Sequence, residues 1–156
     1  MTDELLVAAE LVQVGVRADP SILPFETAEP NTVTTWNGRD VLWLGPDEWL
    51  VVGEQGTEDA IRRELEDAFA GRHHSVVDVG ANRTVFDLTD GLDLLSNSCG
   101  LDLHSSRWRP GMCAQTLFAQ AQVILHQRDV RTTRIFVRPS FADHVREAIR
   151  VTEFLG

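Results

Sequence analysis

Hydrophobic and polar positions alternate along this chain at two periods, and the switches between them predict its elements. Residues 11–16 alternate as a strand, with Leu11, Val12, Val14 and Val16 apolar and Gln13 and Arg17 polar. Residues 32–36 and 40–44 bracket Asn37-Gly38, a dipeptide that takes the positive φ angles of a tight hairpin turn. A second turn, Gly45-Pro46-Asp47-Glu48, leads into a third strand over 49–52, with Trp43 and Trp49 near the turn. The period then becomes helical. Thr57 is placed as N-cap, Glu58 and Asp59 in the first turn, Ala60, Ile61, Leu65, Ala68 and Phe69 on one face, and Gly71 at the stop.

The stretch 75–125 organises the rest. Strand-like runs at 75–79 and 84–88 flank a Gly-Ala-Asn-Arg turn, and a short helix is expected over 91–98. A loop carrying Cys99, His104, Arg107, Trp108, Arg109 and Cys113 precedes a strand at 114–119. Gln120-Ala121-Gln122 reads as a tight connection into 123–126, and 134–138 as the last strand. Ser140 opens a final helix whose buried face is Phe141, Val145, Ala148 and Ile149, continuing to Phe154 and Leu155. At the other end, residues 2–9 read as a helical arm capped by Thr2 or Asp3. Pro20, Pro24 and Pro30 make 19–31 an extended surface segment, because proline denies backbone donors.

Hairpins separated by few helices predict an α+β class: one antiparallel or mixed sheet with helices packed mainly on one face. The length suits one domain over 1–156, with 2–31 as arm, strand and proline-rich segment. Trp43, Trp49, Phe69, Val77, Val79, Phe86, Leu88, Leu94, Leu95, Leu117, Ile135 and Val137 are expected to be buried.

Composition then removes several functions. The formal charge is −10, from 24 acids against 14 bases, which argues against nucleic acid and against anionic lipid as partners. All the bases are arginine. Without lysine there is no P-loop, no pyridoxal Schiff base and no Ser-x-x-Lys nucleophile. Tyrosine is absent too, so any catalysis would fall to carboxylates, histidines, two thiols or arginines. The acidic start shows no secretory pattern and no apolar run is long enough to span a bilayer, so a cytoplasmic setting with free thiols is expected.

Each candidate for chemistry has a plainer reading beside it. Cys99, His104 and Cys113 fall short of the four ligands and paired spacing of structural zinc. As a Cys–His nucleophile they match no thiol-enzyme signature, and the cysteines read as small buried hydrophobes. His73-His74 suits carbonyls past a helix end. Asp78 and Asp87 are placed outward on strands, and Asp90 at a helix N-terminus. No catalytic, cofactor or metal residue is assigned. Arg107-Trp108-Arg109-Pro110-Gly111 has two readings: an exposed contact loop, or Trp108 folded over the core with its arginines reaching out. Arg83, in the preceding turn, is grouped with Arg107, Trp108 and Arg109 as a guessed subunit interface.

The segments LGPDEWLVV at 44–52, VDVGANRTVFDLTD at 77–90, CGLDLHSSRWRPGMCAQTLFAQAQVILH at 99–126 and FVRPSFADHV at 136–145 resemble the gamma subunit of heterotetrameric sarcosine oxidase. More remotely, the pattern resembles the folate-binding domain of the glycine-cleavage T-protein. The resemblance implies a T-protein-like fold and a non-catalytic structural subunit. Its complex would oxidise sarcosine to glycine, with hydrogen peroxide and formaldehyde or methylene-tetrahydrofolate made on other subunits. The implied partners are alpha, beta and delta subunits. FAD, FMN and NAD would be carried by the larger chains and zinc by delta. The alternative, a stand-alone folate-binding or one-carbon transfer protein, rests on the remote resemblance. The T-protein pattern of a Gly-Gly turn followed by aspartates is replaced here by Gln120-Ala121-Gln122-Val123-Ile124-Leu125-His126, which speaks against folate catalysis.

Overall fold

The computed structural model describes residues 5–26 and 29–155. The strands in chain order are β1 (Leu6–Ala9), β2 (Leu11–Ala18), β3 (Val33–Trp36), β4 (Arg39–Gly45), β5 (Glu48–Glu54), β6 (His74–Asp78), β7 (Thr84–Thr89), β8 (Cys113–Phe118), β9 (Ala121–Gln127) and β10 (Thr132–Val137). The α-helices are α1 (Glu58–Phe69), α2 (Leu92–Ser96) and α3 (Ala142–Leu155). The helical arm expected over 2–9 is a strand from Leu6 onward; Thr2 and Asp3 lie outside the described residues.

The α+β class holds, but with two five-stranded sheets rather than one, and every described strand pair is antiparallel. The chain divides into two compact units. One is continuous, Glu10–Ala81; the other joins the residues up to Ala9 to those from Asn82 onward.

The continuous unit has strand order β3-β4-β5-β2-β6. Its β3–β4 hairpin turns on Asn37 and Gly38, with φ of 49° and 81°, as the Asn-Gly pair requires. Helix α1 covers one sheet face. Ile61, Leu65 and Phe69, four residues apart, pack with Val14, Val16, Val41, Trp49 and Val51. Ala60 and Ala68, placed on that face from sequence, are exposed. Thr57 makes no side-chain cap; its hydroxyl donates to the Glu54 carbonyl at 2.6 Å. Gly71, with φ 76°, follows the helix end. His74 shares a hydrogen bond with the Arg72 carbonyl at 2.6 Å and one with Glu66 at 2.8 Å. These two, the carbonyl first, hold its pKa above the ordinary histidine value.

The other unit has strand order β1-β7-β10-β9-β8. Helices α2 and α3 lie on one face. Leu95, Val145 and Ile149 pack with Phe86, Leu88, Val123, Leu125, Ile135 and Val137. The parity is opposite to expectation at two edge strands. Val77 on β6 and Leu117 on β8 are each 51% exposed, because Val76 and Phe118 take the helix-facing positions beside them. Trp43, Val79 and Leu94 are half-buried, and the other expected core residues are buried. Phe141, expected on the buried face of the last helix, sits in a short 3-10 turn before α3 and is exposed.

Asp90 is not a helix cap. It holds φ 53° two residues before α2 and grips Arg131 with both carboxylate oxygens, at 3.0 and 2.6 Å. The Arg131 hydrogen bond keeps its carboxyl below the usual range.

Candidate functional site

The face of β7, β10, β9 and β8 turned away from α2 and α3 carries three ordered rows. Register sets the first: Arg134 lies opposite Asp87 on one side and His126 on the other, and His126 lies opposite Cys113. Two residues along, the second row is Val85, Phe136, Ile124 and Gln115. Alternation brings Arg138, Gln122 and Leu117, with Arg83 just before β7, to the open end.

The first row is polar yet mostly buried. Arg134 donates to Asp87 through Nε at 2.8 Å and through a terminal nitrogen at 3.0 Å, a paired geometry that satisfies both oxygens. Asp87 is therefore half-buried in an ion pair rather than facing solvent alone as its strand parity suggested. His126 is 4% exposed and its Nδ1 has no hydrogen-bond partner among the described residues. Burial pushes its pKa down to about 4, and the Arg134 and Arg128 charges push the same way.

A histidine held neutral in the fold but free to charge when unfolded sets a pH dependence. The unfolded chain binds the extra proton between about pH 6.5 and 4. The contribution of His126 is thus complete above about 6.5 and is lost as pH falls toward 4. It amounts to about 3 kcal/mol on the usual conversion. Denaturant melts of the parent and of His126→Leu across this range are expected to show a shallower acid slope in the variant. Identical slopes would remove His126 from the acid response.

The open end forms a groove of about 550 Å³, lined by Arg83, Arg138, Gln115, Gln122, Leu117 and Phe136 among others. Its closing β8–β9 turn is tight. Ala119 and Gln120 hold φ of 49° and 71°, a strained pairing for residues with side chains. The Ala119 carbonyl is held by His144 at 2.7 Å and its N–H donates to Ser98 at 2.9 Å.

Of the grouped residues Arg83, Arg107, Trp108 and Arg109, the groove takes in one. Arg83 lines the groove, which none of the other three enters. Trp108 is 3% exposed and belongs to the helix-side core, so the reading in which it folds over the core is the observed one. Its indole N–H donates to Gln127 Oε1 at 2.8 Å, an oxygen that also accepts from Thr133 at 2.7 Å. Arg107 and Arg109 are exposed, and Arg107 lies 3.4 Å from Asp102.

Cys99, His104 and Cys113 are not brought together. Cys99 is half-buried with its sulfur 4.0 Å from Thr116, His104 is exposed and bonded to Ser106, and Cys113 is buried opposite His126. Among the described residues, no group of three or more His, Cys, Asp or Glu is placed to hold a metal ion, and no helix is long and apolar enough to cross a membrane. The rows were invisible in sequence because register joins residues from four separate strands. The one local signal was the alternation Phe136-x-Arg138 beside Gln122-x-Ile124.

Two antiparallel sheets with helices, ordered in this way, define the class to which the T-protein fold belongs. The glycine cleavage system aminomethyltransferase T from Bartonella henselae superposes with a TM-score of 0.71 at 14% identity, over 92% of this chain and 44% of that one. Heterotetrameric sarcosine oxidase from Corynebacterium sp. U-96 in complex with pyrrole 2-carboxylate superposes better. Its TM-score is 0.84 at 28% identity, over 94% of this chain and 82% of the matched one. A family model, sarcosine oxidase gamma subunit family, matches residues 21–150. Sarcosine oxidase subunit gamma of Corynebacterium sp. (strain P-1) is 33% identical over 156 residues, covering 92% of this chain and 76% of its own. The Arthrobacter sp subunit gamma is 31% identical over 147 residues, 85% and 70% of the two chains. The chain belongs to the sarcosine oxidase gamma subunit family.

Proposed function

We propose that this chain is a non-catalytic structural subunit of a cytoplasmic heterotetrameric sarcosine oxidase, assembled with alpha, beta and delta subunits. In this reading the complex converts sarcosine to glycine. FAD, FMN and NAD belong to the larger chains and zinc to delta. One observation carries the proposal: family likeness runs through residues 21–150, across both units. The residue chemistry is in keeping with it. Cys99, His104 and Cys113, singled out from sequence as possible ligands or a nucleophile, do not come together. Arg83, Arg107 and Arg109 stand as candidate contacts to partners, with Trp108 as the buried support of its loop.

The test is co-expression with the candidate partner subunits, capture through this chain and identification by mass. The expected result is recovery of those subunits with sarcosine-oxidising activity, while the chain purified alone is colourless and inactive. Stoichiometric flavin on the isolated chain, or sarcosine turnover by it, would overturn the proposal.

A further inference from the structure

We propose that the groove at the open end of β8, β9 and β10 is the seat of an extended partner-subunit segment that presents a carboxylate beside apolar side chains. This rests on the subunit reading above. Three observations converge on that chemistry.

The first is charge. The chain carries −10 overall, yet two of its arginines, Arg83 and Arg138, line this one groove. Arg138 is exposed, and among the described residues no carboxylate lies within salt-bridge distance of it. A guanidinium presents a planar fork that takes a carboxylate in two places. Among the described residues, no acid lines the groove.

The second is the floor. Ile124 and Phe136 are almost fully buried and form the base between the arginines and the rim, while Leu117 is 51% exposed at the edge. An apolar base with an open leucine wall takes side chains, and the exposed Gln122 supplies an amide donor and acceptor for a passing backbone.

The third is shape. Beta-8 is an edge strand of its sheet. Residues 98–100 already bond to its far end, through Gly100 N–H to Leu117 and Ala119 N–H to Ser98. The groove runs along the sheet face beside that closed edge, so an incoming segment lies over side chains rather than adding a strand. The strained Ala119-Gln120 turn fixes the Leu117–Gln122 pair that forms the rim.

Two variants test this in the co-expressed complex. Arg138→Glu is expected to lower recovery of partner subunits by about tenfold or more, with a smaller salt dependence than the parent. It should melt like the parent, because Arg138 is exposed. Arg128→Glu, a matching reversal outside the groove, is expected to assemble normally. Leu117→Cys supplies a readout that does not depend on affinity: maleimide should label it in the free chain and be excluded in the complex, measured over the labelling of the parent's own cysteines. Three results overturn the groove assignment: normal recovery with Arg138→Glu, equal loss with Arg128→Glu, or equal labelling of Leu117→Cys free and assembled. A parent chain that recovers no partner at all would overturn the subunit reading itself, and the groove with it.

Discussion

Trp108→Ala is expected to destabilise the fold by about 3–5 kcal/mol, the range for removing a large aromatic from a packed core. The indole is 3% exposed and packs in the cluster that includes Phe118, Leu125 and Val145. Alanine would leave a cavity there that the surrounding sheet and helices can close only in part. The hydrogen bond adds less. Gln127 Oε1 keeps the Thr133 hydroxyl and Gln127 Nε2 keeps the Asp129 carbonyl, so neither group is stranded. Trp108→Phe should therefore recover most of the loss, leaving about 1 kcal/mol for the missing N–H bond and the smaller ring. Arg109→Ala, on the exposed side of the same loop, should stay within about 0.5 kcal/mol. Urea unfolding of the three variants decides. If Trp108→Ala falls within 0.5 kcal/mol of the parent, the indole is not a core residue.

The Asp87–Arg134 pair should respond asymmetrically to its two single replacements. The Arg134 side chain is 7% exposed and that of Asp87 is 25% exposed. Removing the acid leaves a deeply buried guanidinium without its two-point partner, a loss of about 3–5 kcal/mol. Removing the arginine leaves a carboxylate that can reach water, so Arg134→Met should cost less than Asp87→Ala. Replacing both, as Asp87→Leu with Arg134→Met, should restore much of the difference, since a buried pair often does little better than apolar residues of similar size. A double-mutant cycle by denaturant melts checks the order. Equal single costs, or a double mutant as weak as the sum of the two, would contradict this account.

Local signals were legible where a single residue type forces the backbone or a short period sets a face. Asn37-Gly38 gave its hairpin, and Ile61, Leu65 and Phe69 gave the buried stripe of α1. What could not be read was set by distant pairing. Residues 6–9, LVAA, favour helix by propensity, yet lie as a strand because β7 supplies a partner from far along the chain. Asp90 looked like a cap because a helix follows it, and only the return of the chain at Arg131 explains its conformation. Alternation alone puts Val77 and Leu117 inward, but an edge strand with apolar residues at both parities does not declare which set faces the helices. The groove depends on the register of three hairpin-linked strands and of β7, so no window of sequence contains it.

The strand order of the discontinuous unit bears on how the protein is made. The segment Glu10–Ala81 holds all five strands of its own sheet and the helix that covers it. It can therefore condense on the ribosome before the rest has been translated. Beta-1 emerges ahead of that segment but, among the described residues, pairs with β7, which comes after it. During synthesis β1 waits with its backbone groups unmatched until β7 appears, and β7 in turn gains its other neighbour only when β10, the last strand, is complete. Pauses in translation beyond Ala81 would prolong the exposure of that waiting strand. Nascent chains stalled before β7 has emerged are the ones that leave β1 most open to capture by chaperones or to mispairing with another copy.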